Sequence, residues 1–154
     1  MNDISEENNM QSAFAYPFML FLVVIAFVFM VLMVDYYSTF TIKDTIDQEF
    51  KNVTVNEMSK KLTDEYSSDY IAKFDTDDKI RLEKELKEKF IDQIKADKGY
   101  IVTVKTLEMN NPSEKTITLK FTGTFEFRPM ILRKLVIFDL PVESRAKVIR
   151  FDLE

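Results

Sequence analysis

Apolar and polar positions follow different periods in different parts of this chain, and the changes of period divide it. From Ala13 to Val34 there is no polar period: 22 residues succeed one another without a charge. At about 1.5 Å per residue a helix of that length covers about 33 Å, close to the roughly 30 Å hydrocarbon core of a bilayer. A buried core helix would be shorter and would carry a polar face. The pattern therefore predicts a transmembrane helix over residues 13–34, marked along its length by Ala13, Pro17, Phe21, Ile25, Phe29 and Val34. Pro17 is expected in the first turns, where a missing N–H matters least. Asp35 closes the run, and Tyr16 at one end with Tyr36 and Tyr37 at the other make an interfacial belt of the usual kind, Phe40 following.

After the run the spacing becomes helical. Ile42, Ile46, Phe50, Val53, Leu62, Tyr66 and Tyr70 recur at intervals of three, four or near multiples, a stripe read as the core face of a domain. Val53-Thr54-Val55 is a β-branched cluster that lowers helix propensity and marks a candidate bend or break. A second helix is predicted from Asp77 to Lys98, with Thr76 or Asp77 as its N-cap, Gly99 as its left-handed C-terminal residue, and Ile80, Leu86, Phe90 and Ile94 as its buried side. The charged run of that helix offers i,i+4 pairs, Glu83–Lys87 and Glu85–Lys89, and reads as a solvated face.

The last third changes to period two. Tyr100 to Met109 alternates loosely, and Asn110-Asn111-Pro112-Ser113 supplies a turn. Lys115 to Phe127 carries the cleanest alternation: Ile117, Leu119, Phe121, Phe125 and Phe127 form a core face against Thr116, Thr118, Lys120, Thr122, Thr124 and Glu126. Gly123 interrupts the apolar face and marks a bulge or a close helix–sheet approach. Pro129 ends the strand, Met130 to Phe138 is a short helix or a loop packed on the sheet, and Val142 to Leu153 is a last strand with a register switch near Val148-Ile149. The expected organisation is a polar tail over 1–12, a transmembrane helix over 13–34 and an α+β head over 35–154, its antiparallel sheet of about three to four strands covered by helices.

Composition narrows the chemistry. The chain has no Cys, His or Trp, which excludes disulfides, thiolate nucleophiles, imidazole bases and the usual zinc ligand sets. Two glycines, Gly99 and Gly123, cannot build a phosphate-cradling loop. Asp75, Asp77 and Asp78 are spaced like metal ligands, but calcium requires more oxygen donors, so they read as helix-capping acids and no metal or cofactor is expected. Asn52-Val53-Thr54 matches a glycosylation sequon, a triplet frequent by chance. No catalytic constellation stands out, and an enzyme is not expected.

The net charge is −5, unevenly spread. Residues 35–78 hold 11 acids and 5 bases, a balance of −6, whereas 79–98 and 128–154 are each +2. No cationic cluster suggests nucleic acid, and the acidic stretch beside the span argues against peripheral contact with anionic lipid. The first twelve residues lack Lys and Arg, and Asp35-Tyr36-Tyr37 is a poor cleavage site, so the apolar segment is expected to stay as an anchor and not to be removed as a signal peptide. Lys43 and Lys51 after the span lean toward a cytoplasmic carboxy terminus. The acidic stretch opposes this, and long domains translocate largely regardless of charge.

Gln11-Ser12-Ala13-Phe14-Ala15-Tyr16-Pro17 ahead of a long apolar helix resembles the amino-terminal region of TadE-like pilins. The far end is similar too: a strand closing on Phe125-Glu126-Phe127, then Arg128-Pro129, an apolar segment, and a last strand around Ser144-Arg145-Ala146. Gln11 stands where that family usually has Glu, with no Gly before it at a processing site, which implies a non-processed relative. The resemblance implies an extracytoplasmic head and a single-pass structural subunit of a pilus, secretion or conjugation apparatus. Its partners would be membrane lipid and other membrane or pilin-like subunits, with no nucleic acid and no small-molecule substrate. The other reading is a membrane-tethered scaffold or binding module similar in layout to the single-pass α+β assembly factors of type IV secretion channels. A filament dependent on an amino-terminal Glu would distinguish the first from the second.

Overall fold

The computed structural model of the chain describes residues 3–65, 76–113, 116–132 and 134–149. Helix α1 runs Asp3–Glu65 and helix α2 Thr76–Lys98, followed by strands β1 Val102–Ser113, β2 Thr116–Phe127 and β3 Phe138–Ile149. The strands form one antiparallel sheet in the order β1-β2-β3. The fold class is α+β, as the periodicities predict. Two compact units are present, Met1–Thr39 and Phe40–Glu154.

The second unit is a two-layer structure. Its core joins Ile46, Phe50, Val53 and Met58 of α1, Leu82, Leu86, Phe90 and Ile94 of α2, and the inner face of the sheet. Phe50, Phe90 and Phe121, one from each of α1, α2 and β2, meet with ring centroids 5.2–5.4 Å apart. Each such side chain contributes about 1.5–3 kcal/mol by burial, and aromatic pairing adds about 0.5–1.5 kcal/mol. The stripe of α1 is thus a core face. Tyr66, Tyr70 and the side chain of Leu62, expected to continue the stripe, lie outside the described residues.

Several expectations need correction. The helix does not break at Val53-Thr54-Val55; it is continuous there, and burial of Val53 and Thr54 outweighs their weak propensity. In α2, Ile80 is 60% exposed and Leu82 takes its place inside. Two residues are about 200° apart on a helix, so Ile80 cannot share the face set by Leu82, Leu86, Phe90 and Ile94. Helix α2 already includes both Thr76 and Asp77, the two residues expected to cap it from outside. Gly99 does end the helix, with φ of 70° and its N–H donating to the Lys95 carbonyl at 3.0 Å.

Strand β2 alternates throughout, with Ile117, Leu119, Phe121, Phe125 and Phe127 all in the core. Strand β1 alternates loosely because it is bulged. Val104 pairs with Gly123 and Thr106 with Thr122, leaving Lys105 as an extra residue. The inward positions consequently change from Val102 and Val104 to Leu107 and Met109. Gly123 faces this bulge: a Cβ there would lie 2.4 Å from the Thr103 carbonyl oxygen and 2.8 Å from the Phe121 ring. The close approach is between strands, not between helix and sheet.

The turn expected at Asn110–Ser113 is not a turn, since β1 extends to Ser113 and pairs it with Thr116 after a second irregularity. Pro112 is tolerated because β1 is an edge strand. Strand β3 starts at Phe138, ahead of Pro141, and its register with β2 is unbroken from Phe138↔Phe127 to Ile149↔Thr116. No switch occurs at Val148-Ile149; Val142, Ser144, Ala146 and Val148 all point inward. Residues 150–154, the remainder of the expected strand, lie outside the described set.

Candidate functional site

The first unit is a stretch of helix whose side chains are described from Tyr16 onward. Between Tyr16 and Val34 every side chain but Val31 is exposed, including Phe21, Ile25 and Phe29. Among the described residues this is the one helix long and apolar enough to cross a membrane. An apolar helix exposed on all sides has its backbone bonds satisfied internally and its side chains matched to lipid. Ala13 lies in the helix, its side chain outside the description. Pro17 is not in the first turns but well inside, because α1 already begins at Asp3. Its ring removes one rung of the backbone ladder, a defect that membrane helices accommodate.

Tyr16, Tyr36 and Tyr37 are exposed, and the rings of the last two meet edge-on at 5.9 Å. Asp35 ends the apolar run without ending the helix. The hydroxyls that follow are satisfied within the helix itself: Thr39 donates to the Asp35 carbonyl at 2.9 Å and Thr45 to the Thr41 carbonyl at 2.8 Å.

In the second unit, carboxylates fasten α1 and α2 to their neighbours. The Ser144 hydroxyl of β3 donates to Asp47 at 2.5 Å, and Lys51 pairs with the other oxygen of that carboxylate, also at 2.5 Å. Glu49 accepts from Gln93 at 3.4 Å and lies 3.8 Å from Lys98. Glu57 pairs with Lys89 across the helix seam and with Lys60 at 3.1 Å on its own helix. The hydrogen bond from Lys89 is the largest influence on Glu57 and holds its carboxyl below the usual range, against the opposing effect of burial. The Glu83 carboxylate accepts from the Met109 N–H at 2.8 Å, which covers a donor of edge strand β1. The charged face of α2 is therefore partly a docking face. Glu83 and Lys89, expected to pair along the helix, instead reach β1 and α1.

Two open clefts accompany these contacts. One, of about 420 Å³, lies along the helix seam beside Val53, Glu57, Lys60, Lys89 and Asp92. The other, of about 540 Å³, lies beside Gly123 between Lys43, Lys105 and Glu143. Among the described residues no three acidic side chains gather as a metal site. Asp77 is exposed, while Asp75 and the side chain of Asp78 are outside the description. The Asn52-Val53-Thr54 sequon is unusable in the folded head, because Val53 and Thr54 are buried in α1.

The segment between β2 and β3 departs most from expectation. It is neither a helix nor packed on the sheet. Turns at 130–132 and 134–135 carry it, with the N–H groups of Leu135 and Val136 both donating to the Leu132 carbonyl, at 2.8 and 3.0 Å. Met130, Ile131, Leu132, Leu135 and Ile137 are exposed, Leu135 by 82%. The two helices already fill the inner face of the sheet, so no apolar surface is left there for the loop. The sequence signal was available: an apolar segment without a period belongs to neither face of a strand or helix. Comparison of the chain with family models, with curated proteins and with solved structures finds no match.

Proposed function

We propose that the protein is a single-pass, membrane-anchored structural subunit, a pilin-like or pseudopilin-like component of a pilus, secretion or conjugation apparatus. The observation that carries this reading is the division of labour along α1. One uninterrupted helix supplies an apolar section exposed on every side, and farther along the same helix Ile46, Phe50, Val53 and Met58 enter the core of an α+β head. The apolar section packs laterally among lipids and neighbouring subunits, and the head makes the remaining contacts. The protein acts by assembly and not by catalysis, with no cofactor, and the head lies outside the cytoplasm. A membrane-tethered scaffold or binding module of a type IV secretion-like assembly is the second reading, favoured by Gln11 at the position where pilins usually carry Glu.

The absence of native cysteine makes the test direct. Ile25→Cys in membranes, treated with a bifunctional maleimide, should give cross-links between copies or to neighbouring small membrane proteins. Alkaline carbonate should leave the chain in the pellet at its full mass, and protease added to wall-stripped cells should remove a tag placed after Glu154. Monomer alone after cross-linking supports the scaffold reading. A mass that begins after residue 34 sinks the anchor, and a protected tag reverses the topology.

A further inference from the structure

We propose that the loop between β2 and β3 is a second membrane contact, seated in the headgroup region of the bilayer beside the point where the chain enters it. The inference rests on retention of the apolar span as an anchor.

The first support is composition. From Phe127 to Phe138 the sequence is Phe-Arg-Pro-Met-Ile-Leu-Arg-Lys-Leu-Val-Ile-Phe, with three cations and no acid. Met130, Ile131, Leu132, Leu135 and Ile137 are exposed together in this short segment. Large apolar side chains flanked by Arg and Lys are the make-up of an interfacial anchor: the apolar groups enter the acyl boundary and the cations stay with phosphates. Arg128 is steadied by Glu126 at 3.5 Å.

The second support is position within the head. Asp47 of α1 meets Ser144 of β3, and Lys43 shares a cleft with Pro141 and Val142. Moving back along α1 toward Phe40 is thus moving back along β3 toward Phe138, where the loop joins it. Phe40 is six residues from Val34, the end of the apolar run. Six residues span at most about 22 Å, so Phe40 lies within that reach of the end of the apolar run.

The third support is charge. The acidic excess after the span argues against lipid contact only if it faces lipid, and part of it is engaged within the head. Asp47 holds Ser144 and Lys51, Glu49 meets Gln93 and Lys98, and Glu57 holds Lys89 and Lys60. The loop presents the opposite sign.

The test uses the full chain in nanodiscs of equal parts phosphatidylcholine and phosphatidylglycerol, with a polarity-sensitive dye on single cysteines. Leu135→Cys reports the loop, Phe29→Cys the span, and Glu108→Cys the exposed part of β1 toward the opposite end of the sheet. Lipid bearing a shallow nitroxide should quench the dye at 135 and at 29, and iodide should quench 135 several-fold less than 108. The double variant Ile131→Asp, Leu135→Asp, carrying its dye on a cysteine at Ile137, should lose lipid quenching while its melting temperature stays unchanged. Iodide access at 135 equal to that at 108, with 29 quenched by lipid, overturns the proposal and leaves the anchor standing. Shielding from iodide without lipid quenching at 135 means a protein partner covers the loop, which also overturns it. Absence of lipid quenching at 29 removes the anchor and the proposal together.

Discussion

The Ser144 hydroxyl and the Asp47 carboxylate meet at 2.5 Å across 97 residues of sequence, tying edge strand β3 to α1. Ser144 is almost fully buried among apolar neighbours, so its hydroxyl depends on this one acceptor. Asp47→Ala should destabilise the head by about 1–3 kcal/mol, because it strands a buried donor. Ser144→Ala should cost less, since Asp47 keeps Lys51 and some solvent. Thermal melts of the full chain in detergent micelles, run as a double-mutant cycle, would expose coupling between the two sites. Additive losses would mean that the bond is not a determinant of stability.

The two faces of β2 should respond oppositely to charge. Phe121→Asp or Phe125→Asp places an unpaired carboxylate in a fully buried site and should cost several kcal/mol of a total of about 5–15 kcal/mol. Thr122→Asp lies on the outer face, where it loses the 2.6 Å contact with Thr106 and gains a like-charged neighbour in Glu143. That change should cost about 1 kcal/mol or less. Comparable loss of the folded baseline in circular dichroism for both kinds of variant would contradict the assignment of faces.

Thr54 is buried, and its Oγ1 has no partner among the described residues. Valine has the same shape without the hydroxyl, so Thr54→Val should raise stability by about 1 kcal/mol. A fall in melting temperature would imply that the hydroxyl has a partner in solution.

The depressed carboxyl of Glu57 fixes the sign of a pH effect. A carboxyl with a folded-state pKa below its unfolded value of about 4.3 contributes stability that is complete above that value. The contribution disappears as pH falls through the lower, folded value. Glu57→Gln should therefore be less stable than the native chain at neutral pH, and the two should converge on acidification below about pH 4. Lys89→Met should produce the same convergence, since Lys89 is the main cause of the shift. A difference that persists unchanged at acid pH would assign the effect to packing.

These residues also mark how far the sequence could be read. Strand β2 was legible down to individual faces because one side is covered by helices and the other is open, which forces strict alternation. The apolar span was legible because nothing else in a sequence runs so long without charge. Helix α2 was located but placed in the wrong phase at its start: Ile80 was taken for its hydrophobicity, although Leu82, Leu86, Phe90 and Ile94 form the regular i,i+4 row. Thr54 and Ser144 escaped because a buried hydroxyl has no sequence pattern, only a partner or its lack. Glu83 and Lys89 were read as local helix pairs, since spacing along a helix is visible in sequence and reach to another element is not. The exposed loop departs from the rule that apolar residues seek the core, because α1 and α2 already occupy it.

Position 123 should be among the least tolerant in the head. Gly123→Ala would force its Cβ to 2.4 Å from backbone, the Thr103 oxygen, and a contact that close must be relieved by moving β1 or β2. A loss of about 2 kcal/mol or more is expected by chemical denaturation, as for other overpacked sites. Gly99→Ala, in open space, should be milder, limited to its positive φ.

The bulge at Lys105 gives the chain a history-dependent constraint. Removing Lys105 leaves Val104 and Thr106 adjacent, still opposite Gly123 and Thr122, and Leu107 and Met109 keep their inward positions. A one-residue deletion that would invert the faces of an ordinary strand restores an unbroken one here. The Thr103 oxygen that bars a side chain at position 123 lies on the stretch of β1 leading into the bulge, so the deletion is the change placed to move it. Loss of residue 105 followed by gain of a side chain at 123 is an open route for divergence, whereas the reverse order passes through a destabilised head. In descendants of this chain, the length of β1 and the residue at position 123 will therefore be inherited together.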